Sequence, residues 1–197
     1  MNNLLENMVD RYHPTNNVER ENAIKEIIQE IVLSAFGKTD FFTKVAFYGG
    51  TCLRIFCGLN MFSEDLDFAL LEKNTDFRLD DYFPFLKKEF ESYGLDIDIK
   101  YKKKTKDTEI QSSFSKGNTL LLMMSFFPKN EDVKRIVSNQ KIKIKFEIDI
   151  DNPSGGISEY RHRMLPSPYE AQIFDESTLF AGKIHALLCQ GYKPYQR

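Results

Sequence analysis

The stretch VAFYGGTCLRIFCGLNMFSEDLDFAL, residues 45–70, determines how the rest of the chain is interpreted. Its apolar run at residues 45–48 predicts a strand, and the glycine turn at residues 49–51 opens a short amphipathic helix. A second apolar run, which contains Asp65 and Asp67, predicts the next strand. Because these two residues are two positions apart on a strand, their carboxylates point to the same face.

Two carboxylates so close together repel each other, and burying them unpaired is unfavourable. A divalent cation with oxygen ligands removes the repulsion, and Mg²⁺ is the usual ion where phosphates are handled. Backbone N–H groups at a glycine turn that opens a helix bind phosphate oxygens. Taken separately, a D-x-D pair is more often solvated and a Gly-Gly-Thr is more often only a turn. Together they predict a metal and phosphate site, because each supplies what the other lacks.

The same stretch resembles the signature of the AbiEii/AbiGii toxin family. The residues that carry the resemblance are Gly49-Gly50-Thr51, Leu53-Arg54 and the segment FSEDLDF at residues 62–68. That family belongs to the nucleotidyltransferase superfamily, whose fold resembles the catalytic part of DNA polymerase beta. The resemblance therefore implies an enzyme that transfers nucleotides.

The segment KIKIKFEIDID, residues 141–151, predicts a strand with one apolar face and one face that begins basic and ends acidic. By themselves these residues favour a solvent-facing strand of mixed charge. However, KFEID and the Pro and Gly residues at 153–156 resemble the second signature block of the family. That resemblance implies that Glu147 or Asp149 joins the Asp pair in a three-carboxylate site for two metal ions. Both acids stay open at this point, with Glu147 favoured as the ligand.

The segment LFAGKIHAL, residues 179–187, resembles the K-x-x-A element of the same family. The resemblance implies that Lys183 lies in the active site, where its ammonium holds nucleotide phosphates. Taken alone, a lysine on a helix is usually a surface residue. The helix is predicted from Ser177 as its N-cap and from an apolar stripe expected to face inward. The members of that stripe are Leu179, Phe180, Ile184, Leu187 and Leu188.

The resemblance covers roughly residues 45–190. Family members usually continue with a basic segment and an Arg-Asp-x-Tyr-Asp motif, whereas this sequence stops at Arg197. From that difference we expect nucleotide binding to survive better than turnover.

The remaining elements follow from turn residues and hydrophobic periodicity. Asn16 and Glu19 predict a capping box for a helix that ends at Gly37 and has a structural role. A helix at residues 81–93 and a half-exposed strand at 95–101 come next. The other predictions are a lysine run at 102–106, a hairpin at 114–127 with its turn at 116–118, a polar linker at 128–139 and an irregular segment at 157–175. The lysine run is interpreted as a solvated edge, with nucleic-acid contact as the alternative.

The composition is that of an ordinary globular protein, with 197 residues, 42% hydrophobic residues and a formal net charge of −2. The three cysteines have no metal-ligand spacing and the three histidines are scattered, which argues against a zinc site and a disulfide framework. No apolar run approaches the ~18 residues of a membrane span, and the N-terminus has no secretory pattern. We therefore expect a cytoplasmic protein with no membrane partner.

We predict an α+β protein with the nucleotidyltransferase fold. Its short mixed β-sheet would have helices packed mainly on one face, and a C-terminal helical segment would extend it. Residues 1–157 would form the nucleotidyltransferase core with its N-terminal helix. Residues 158–197 would form the C-terminal helical segment.

The resemblance implies Mg²⁺-dependent transfer of a nucleotide from an NTP to an acceptor hydroxyl on RNA, such as a tRNA end. It also implies that the protein is a toxin with a separately encoded antitoxin. The expected nucleotide-binding residues are Gly49, Gly50, Thr51, Arg54, Ser63 and Lys183. The expected catalytic residues are Asp65, Asp67, Glu147, Asp149 and Lys183, of which Asp65, Asp67 and Glu147 would hold the metal.

Two other functional classes stay open. The protein could bind nucleotide or RNA without catalysis, or it could modify a small molecule, as antibiotic nucleotidyltransferases of the same superfamily do. A broad basic groove beside the carboxylates would favour RNA, whereas a closed small pocket would favour a small acceptor.

Overall fold

The computed structural model describes residues 4–72, 76–101, 119–137, 142–150 and 155–189. The helices within these ranges are α1 (Leu4–Asp10), α2 (Asn17–Gly37), α3 (Gly49–Cys57), α4 (Phe83–Ser92), α5 (Glu131–Val137) and α6 (Glu176–Cys189). The strands are β1 (Val45–Tyr48), β2 (Leu66–Leu70), β3 (Leu95–Tyr101), β4 (Thr119–Pro128), β5 (Ile142–Asp149), β6 (Ser158–Arg163) and β7 (Tyr169–Phe174). None of the described helices is both long and apolar enough to span a membrane.

The described strands form one mixed seven-stranded sheet in the order β3-β4-β5-β2-β1-β7-β6. Strand β1 pairs antiparallel with β2 and parallel with β7, and β2 pairs parallel with β5. The pairs β3-β4, β4-β5 and β6-β7 are antiparallel. The predicted α+β class with a mixed sheet is confirmed, and the β1-α3-β2 unit has the order expected from residues 45–70.

The hydrophobic core lies between α2 and the centre of the sheet. Phe36 of α2 stacks on Phe41 with ring centroids 4.0 Å apart, and Phe68 of β2 stacks on Phe146 of β5 at 4.7 Å. Along β5, Ile142, Ile144, Phe146 and Ile148 are buried. The alternate residues of β5 are half-buried or exposed, so the opposite face of this strand carries polar side chains.

The N-terminus of α2 is capped as predicted, with one difference. The Asn16 side chain accepts a hydrogen bond from the Glu19 backbone N–H at 2.9 Å. The Glu19 carboxylate accepts from the backbone N–H of Thr15 at 2.7 Å rather than from that of Asn16. The reciprocal half of the capping box is therefore made one residue earlier than the sequence suggested.

The irregular course predicted for residues 157–175 is wrong. Strands β6 and β7 form an antiparallel pair there, and β7 joins the sheet beside β1. The sequence of β6, SEYRHR, has no apolar alternation because this strand lies at the edge of the sheet. The sheet therefore continues past residue 157, and the helical part of residues 158–197 begins only at Glu176.

The inward-facing stripe predicted for α6 is also wrong for most of its members. Leu179 is buried, but the other four are exposed by 41–78% of their surface. These four are Phe180, Ile184, Leu187 and Leu188. Periodicity identifies the apolar face of a helix, but it does not show whether another element covers that face.

The cap of α6 differs from the prediction as well. The Asp175 carboxylate accepts a hydrogen bond from the Thr178 backbone N–H at 2.8 Å. Asp175, rather than Ser177, therefore fills the capping role, with the spacing expected of an N-cap carboxylate.

Elements between β2 and β5 agree in part with the sequence. The helix predicted at residues 81–93 is α4, preceded by a 3₁₀ turn at Leu79–Tyr82, and the predicted strand at 95–101 is β3. The linker predicted at 128–139 contains α5. The second half of the predicted hairpin is β4, whereas its turn and the lysine run at 102–106 lie outside the described residues.

Candidate active site

Two neighbouring strands bring the predicted acids together at the open face of the sheet. In the parallel pair of β2 and β5, Asp67 is the register partner of Glu147. Asp65 directly precedes β2, on the same face as Asp67. Adjacent strands lie about 4.8 Å apart, so register partners place their side chains side by side. The structure therefore assembles Asp65, Asp67 and Glu147 into one group, which is called the acid cluster below.

Lys145 joins this cluster, although no role for it was predicted from the sequence. Its ammonium lies 2.7 Å from Glu147 Oε1 and 3.6 Å from Asp65 Oδ2. The alternation of β5 did place Lys145 on the same face as Glu147. What the sequence could not show is that β2 lies beside β5 in this register.

Asp149, the other candidate acid on β5, has a different partner. Its carboxylate accepts a short hydrogen bond from the Tyr48 hydroxyl. Burial, and then this bond to Asp149, raise the pKa of Tyr48 above its ordinary value. Of the two candidate acids, Glu147 is the one that shares a cation with Asp65.

The surroundings of Asp65 and Asp67 favour the protonated form of these two carboxyl groups. Burial, with added repulsion from Asp65 and Glu147, raises the pKa of Asp67 from 3.8 to about 7. Burial also raises the pKa of Asp65, although the Lys145 ammonium opposes that shift. A cation that binds here would relieve both the desolvation and the repulsion.

The glycine turn lies directly against the acid cluster. Gly49 is the first residue of α3 and has φ +84°, in the left-handed region, and a Cβ there would lie only 2.2 Å from Asp67 Oδ2. A Cβ on Gly50 would lie 2.7 Å from Ser63 Oγ. Glycine at both positions thus allows the start of α3 to approach Asp67 and Ser63 closely.

Lys183 reaches the same place from α6. Its ammonium is 3.5 Å from the position that a Cβ on Gly50 would occupy. The Lys183 charge also lowers the pKa of Asp67, opposing the larger effect of burial. Although Lys183 is an exposed residue, its ammonium therefore faces the glycine turn and the acid cluster.

Thr51 and Arg54 have contacts that the sequence did not predict. The buried Thr51 hydroxyl donates a hydrogen bond to the backbone carbonyl of Asp65 and so fixes the segment that carries this acid. Arg54 Nε pairs with Glu26 of α2 at 3.0 Å, and its Nη1 donates to the Leu59 carbonyl at 3.2 Å. The structure thus directs Arg54 towards α2 rather than towards the acid cluster.

The loop between α3 and β2 is held by α2. Gln29 Nε2 donates to the Ser63 carbonyl at 2.9 Å, and Lys25 pairs with Glu64 at 2.9 Å. The Gln29 side chain is fully buried, and its Oε1 has no hydrogen-bond partner among the described atoms. The sequence missed this contact because Gln29 lies within an otherwise apolar helix, where only its polarity marks it.

The donor chemistry of the acid cluster fits a hard divalent cation such as Mg²⁺. Asp65, Asp67 and Glu147 offer carboxylate oxygens, the ligands that Mg²⁺ prefers. Oxygens of two of them already converge on the Lys145 ammonium. Within the described residues, however, no three His, Cys, Asp or Glu side chains are arranged closely enough to hold a metal ion. The carboxylates would therefore have to close around the ion.

Comparison with known proteins gives a family and a fold. The model of the family described as "Nucleotidyl transferase AbiEii toxin, Type IV TA system" matches residues 31–197. The chain is similar to the crystal structure of a candidate nucleotidyltransferase from H. pylori, with 20% identity and a TM-score of 0.53 over 86% of this chain. It spans 60% of the length of that protein.

A second solved structure, JHP933 from Helicobacter pylori, has 18% identity and a TM-score of 0.49, with 84% of this chain and 57% of that chain covered. No curated protein matches the chain. The likeness to the first solved structure shows the fold, in agreement with the mixed sheet described above.

Proposed function

The chain belongs to the AbiEii nucleotidyl transferase toxin family, and from this premise we propose that it transfers a nucleotide from an NTP to an RNA acceptor with Mg²⁺. The observation that carries the proposal is the meeting of the acid cluster, the start of α3 and Lys183 at one place. Phosphoryl and nucleotidyl transfer require carboxylates that hold a metal, backbone amides that bind phosphate and a positive charge such as the Lys183 ammonium.

The start of α3 is the proposed triphosphate site. Its first backbone N–H groups, at Gly49, Gly50 and Thr51, have no side-chain cap from Tyr48, the N-cap residue. Such N–H groups, together with the helix dipole, attract phosphate oxygens. Lys183, next to Gly50, would add a positive charge to the same phosphates. Ser63 would border the site because its hydroxyl faces Gly50.

Asp65, Asp67 and Glu147 would hold Mg²⁺. When bound, the ion neutralises phosphate charge and makes a hydroxyl that it contacts more acidic. In the reaction, the acceptor oxygen forms a bond to the α-phosphorus, the bond to the β-phosphate oxygen breaks, and pyrophosphate leaves. The hydroxyl proton passes to a carboxylate of β5, Glu147 or Asp149. Lys183 offsets the charge that develops on the departing pyrophosphate.

The acceptor and the biological role are proposed from the family. Its description as a toxin of a type IV toxin–antitoxin system supports a toxin that is opposed by a separate antitoxin protein. We propose RNA, such as a tRNA end, as the acceptor from the resemblance alone. We propose that the protein acts in the cytoplasm, where NTPs and tRNA are present. Arg54, which is paired with Glu26 in the structure, would need to leave this partner to contact a phosphate.

The test is transfer of label from NTPs to RNA. The protein is incubated with each NTP labelled at the α-phosphate, Mg²⁺ and total RNA, and the RNA is then separated and counted. We expect one NTP to label RNA, and EDTA or the double variant Asp65→Asn with Asp67→Asn to abolish labelling. NTP binding without labelling would favour a binding protein, and label on small molecules would favour a small-molecule transferase. If the folded double variant labels RNA like the wild type, the proposed site is wrong.

A further inference from the structure

We propose that Lys145 is an internal counter-ion of the acid cluster, and that a divalent cation must displace its ammonium in order to bind. This inference rests on the proposed function, because it assumes that the acid cluster is the metal site. It concerns a residue that the family resemblance left without a role.

The Lys145 ammonium contacts two acids at once. Its ammonium bridges Glu147, on its own strand, and Asp65, next to the neighbouring strand. Only 33% of the Lys145 side chain is exposed, compared with 73% for Lys100 at the sheet edge. Lys145 is therefore drawn down onto the acids rather than extended into solvent.

Lys145 lies in a region where negative charges are concentrated. Asp65, Asp67 and Glu147 form a group of three acids, and Lys145 is the cation that contacts two of them directly. Lys183 approaches from the side of Gly50 and acts on Asp67. Without Lys145, Asp65 and Glu147 would lose the only cation that joins them within the described part of the chain.

The competition follows from these contacts. A divalent ion that takes ligands from both Asp65 and Glu147 needs the oxygens that now contact the ammonium. It also repels that ammonium, because both are positive. For an ammonium displaced to about 6 Å from the ion in water-like surroundings, this repulsion corresponds to about a tenfold loss of metal affinity. Lys145 thus keeps the metal-free cluster together and weakens binding of the metal alone.

The experiment compares Lys145→Met with Lys143→Met, which removes the same charge from an exposed position two residues earlier on the same face of β5. Binding of Mn²⁺ is measured without nucleotide by the electron paramagnetic resonance signal of the free ion. The pH is about 8, above the pKa of about 7 of Asp67, so that this ligand is mostly ionised. We expect Lys145→Met to bind Mn²⁺ about tenfold more tightly than the wild type. Lys143→Met should stay within about twofold, since its charge lies farther from the cluster.

A second measurement uses metal-free protein in EDTA. Lys145→Met should melt at a lower temperature than Lys143→Met, because the acids lose their counter-ion, and Mn²⁺ should raise its melting temperature more than that of the wild type. Lys145→Gln replaces Lys145→Met if the latter does not fold. Equal or weaker Mn²⁺ binding by both folded Lys145 variants overturns the inference.

The Asp65→Asn and Asp67→Asn double variant separates this inference from the proposed function. If Mn²⁺ binding to the wild type depends on Asp65 and Asp67 but Lys145→Met does not change it, the metal site stands and the counter-ion role is refuted. If the wild type has no such binding but Lys145→Met acquires it, the counter-ion role is supported. If neither protein binds Mn²⁺ at these acids, both ideas fail.

Discussion

Replacing Gly49 with Ala should damage the acid cluster without changing any charge. Gly49 has φ +84°, and a Cβ placed there would lie 2.2 Å from Oδ2 of Asp67 and 3.0 Å from its Cβ. The methyl group therefore meets a side chain that belongs to the proposed metal site. The variant tests whether the close approach of α3 to Asp67 matters for binding.

Two effects contribute to the expected magnitude. A left-handed backbone at a residue with a Cβ costs about 1–2 kcal/mol of folding free energy. A carbon and an oxygen need well over 3 Å between their centres, so the Asp67 carboxylate must shift by roughly 1 Å. A displacement of that size at a reacting site can cost about a hundredfold in rate. We expect Gly49→Ala to lose at least tenfold in Mn²⁺ affinity and to lose NTP transfer.

Gly58→Ala is the matched control. Gly58 caps α3 with φ +72°, but a Cβ there would have nothing within 4 Å. The Gly58→Ala variant should therefore lose about 1–2 kcal/mol of folding free energy through its left-handed backbone alone. Urea unfolding gives the stability of both variants, and calorimetric titration gives their Mn²⁺ and NTP affinities. If folded Gly49→Ala binds as tightly as Gly58→Ala, Asp67 is not a ligand held in place by this glycine.

Four further predictions concern the effect of pH, the Ser63 loop and the phosphate site. The pKa of Asp67 is raised from 3.8 to about 7, so the metal-free folded protein holds this proton more tightly than the unfolded chain. Its unfolding free energy, measured with urea, should therefore fall as pH rises from about 4 to about 7. The Asp67→Asn variant should show a flatter dependence. The same proton competes with metal, so Mn²⁺ affinity should drop about tenfold per pH unit below about 7, and a flat profile would contradict a raised pKa at the ligand. Gln29→Leu should lower the unfolding free energy by about 1–2 kcal/mol and weaken NTP binding, because the Ser63 carbonyl loses its hydrogen-bond donor. An unchanged NTP affinity would limit Gln29 to a structural role. Lys183→Ala should weaken NTP binding with no loss of stability, whereas Lys88→Ala, also exposed, should change neither; equal NTP affinities of these two variants would remove Lys183 from the site.

The local part of the fold could be predicted because its signals lie close together in the sequence. The turn at residues 49–51 and the apolar runs on either side fix β1, α3 and β2 through periodicity and glycine alone. The shared face of Asp65 and Asp67 follows from the two-residue repeat of a strand. Alternation likewise predicts β5 and the face that carries Glu147.

The contacts between distant segments could not be predicted in this way. The choice between Glu147 and Asp149 depends on the register of β5 with β2 and on the Tyr48 hydroxyl, which lies on β1. Lys145 is identified as a member of the cluster only when Asp65 is placed beside it. Strand β6 could not be predicted because its residues show no apolar alternation, and the partner of Arg163 is the distant Glu30 of α2.

Helix α2, which the sequence suggested was only structural, positions the segments around the candidate site. One turn of this helix carries three buried polar residues, Glu26, Gln29 and Glu30. Glu26 pairs with Arg54 of α3, and Gln29 holds the Ser63 carbonyl.

Glu30 of the same turn pairs with Arg163 of β6, yet burial raises the pKa of Glu30 in spite of that contact. Desolvation of such a buried pair largely offsets its attraction, so the pair adds little stability, although losing one partner would be destabilising. The main effect of these contacts is to position the segments that surround α2. The three side chains tie α2 to the helix that opens at Gly49, to the Ser63 loop and to the edge of the sheet. A buried polar turn inside an apolar helix is therefore best explained by the geometry that it imposes on the neighbouring glycine turn and acid cluster.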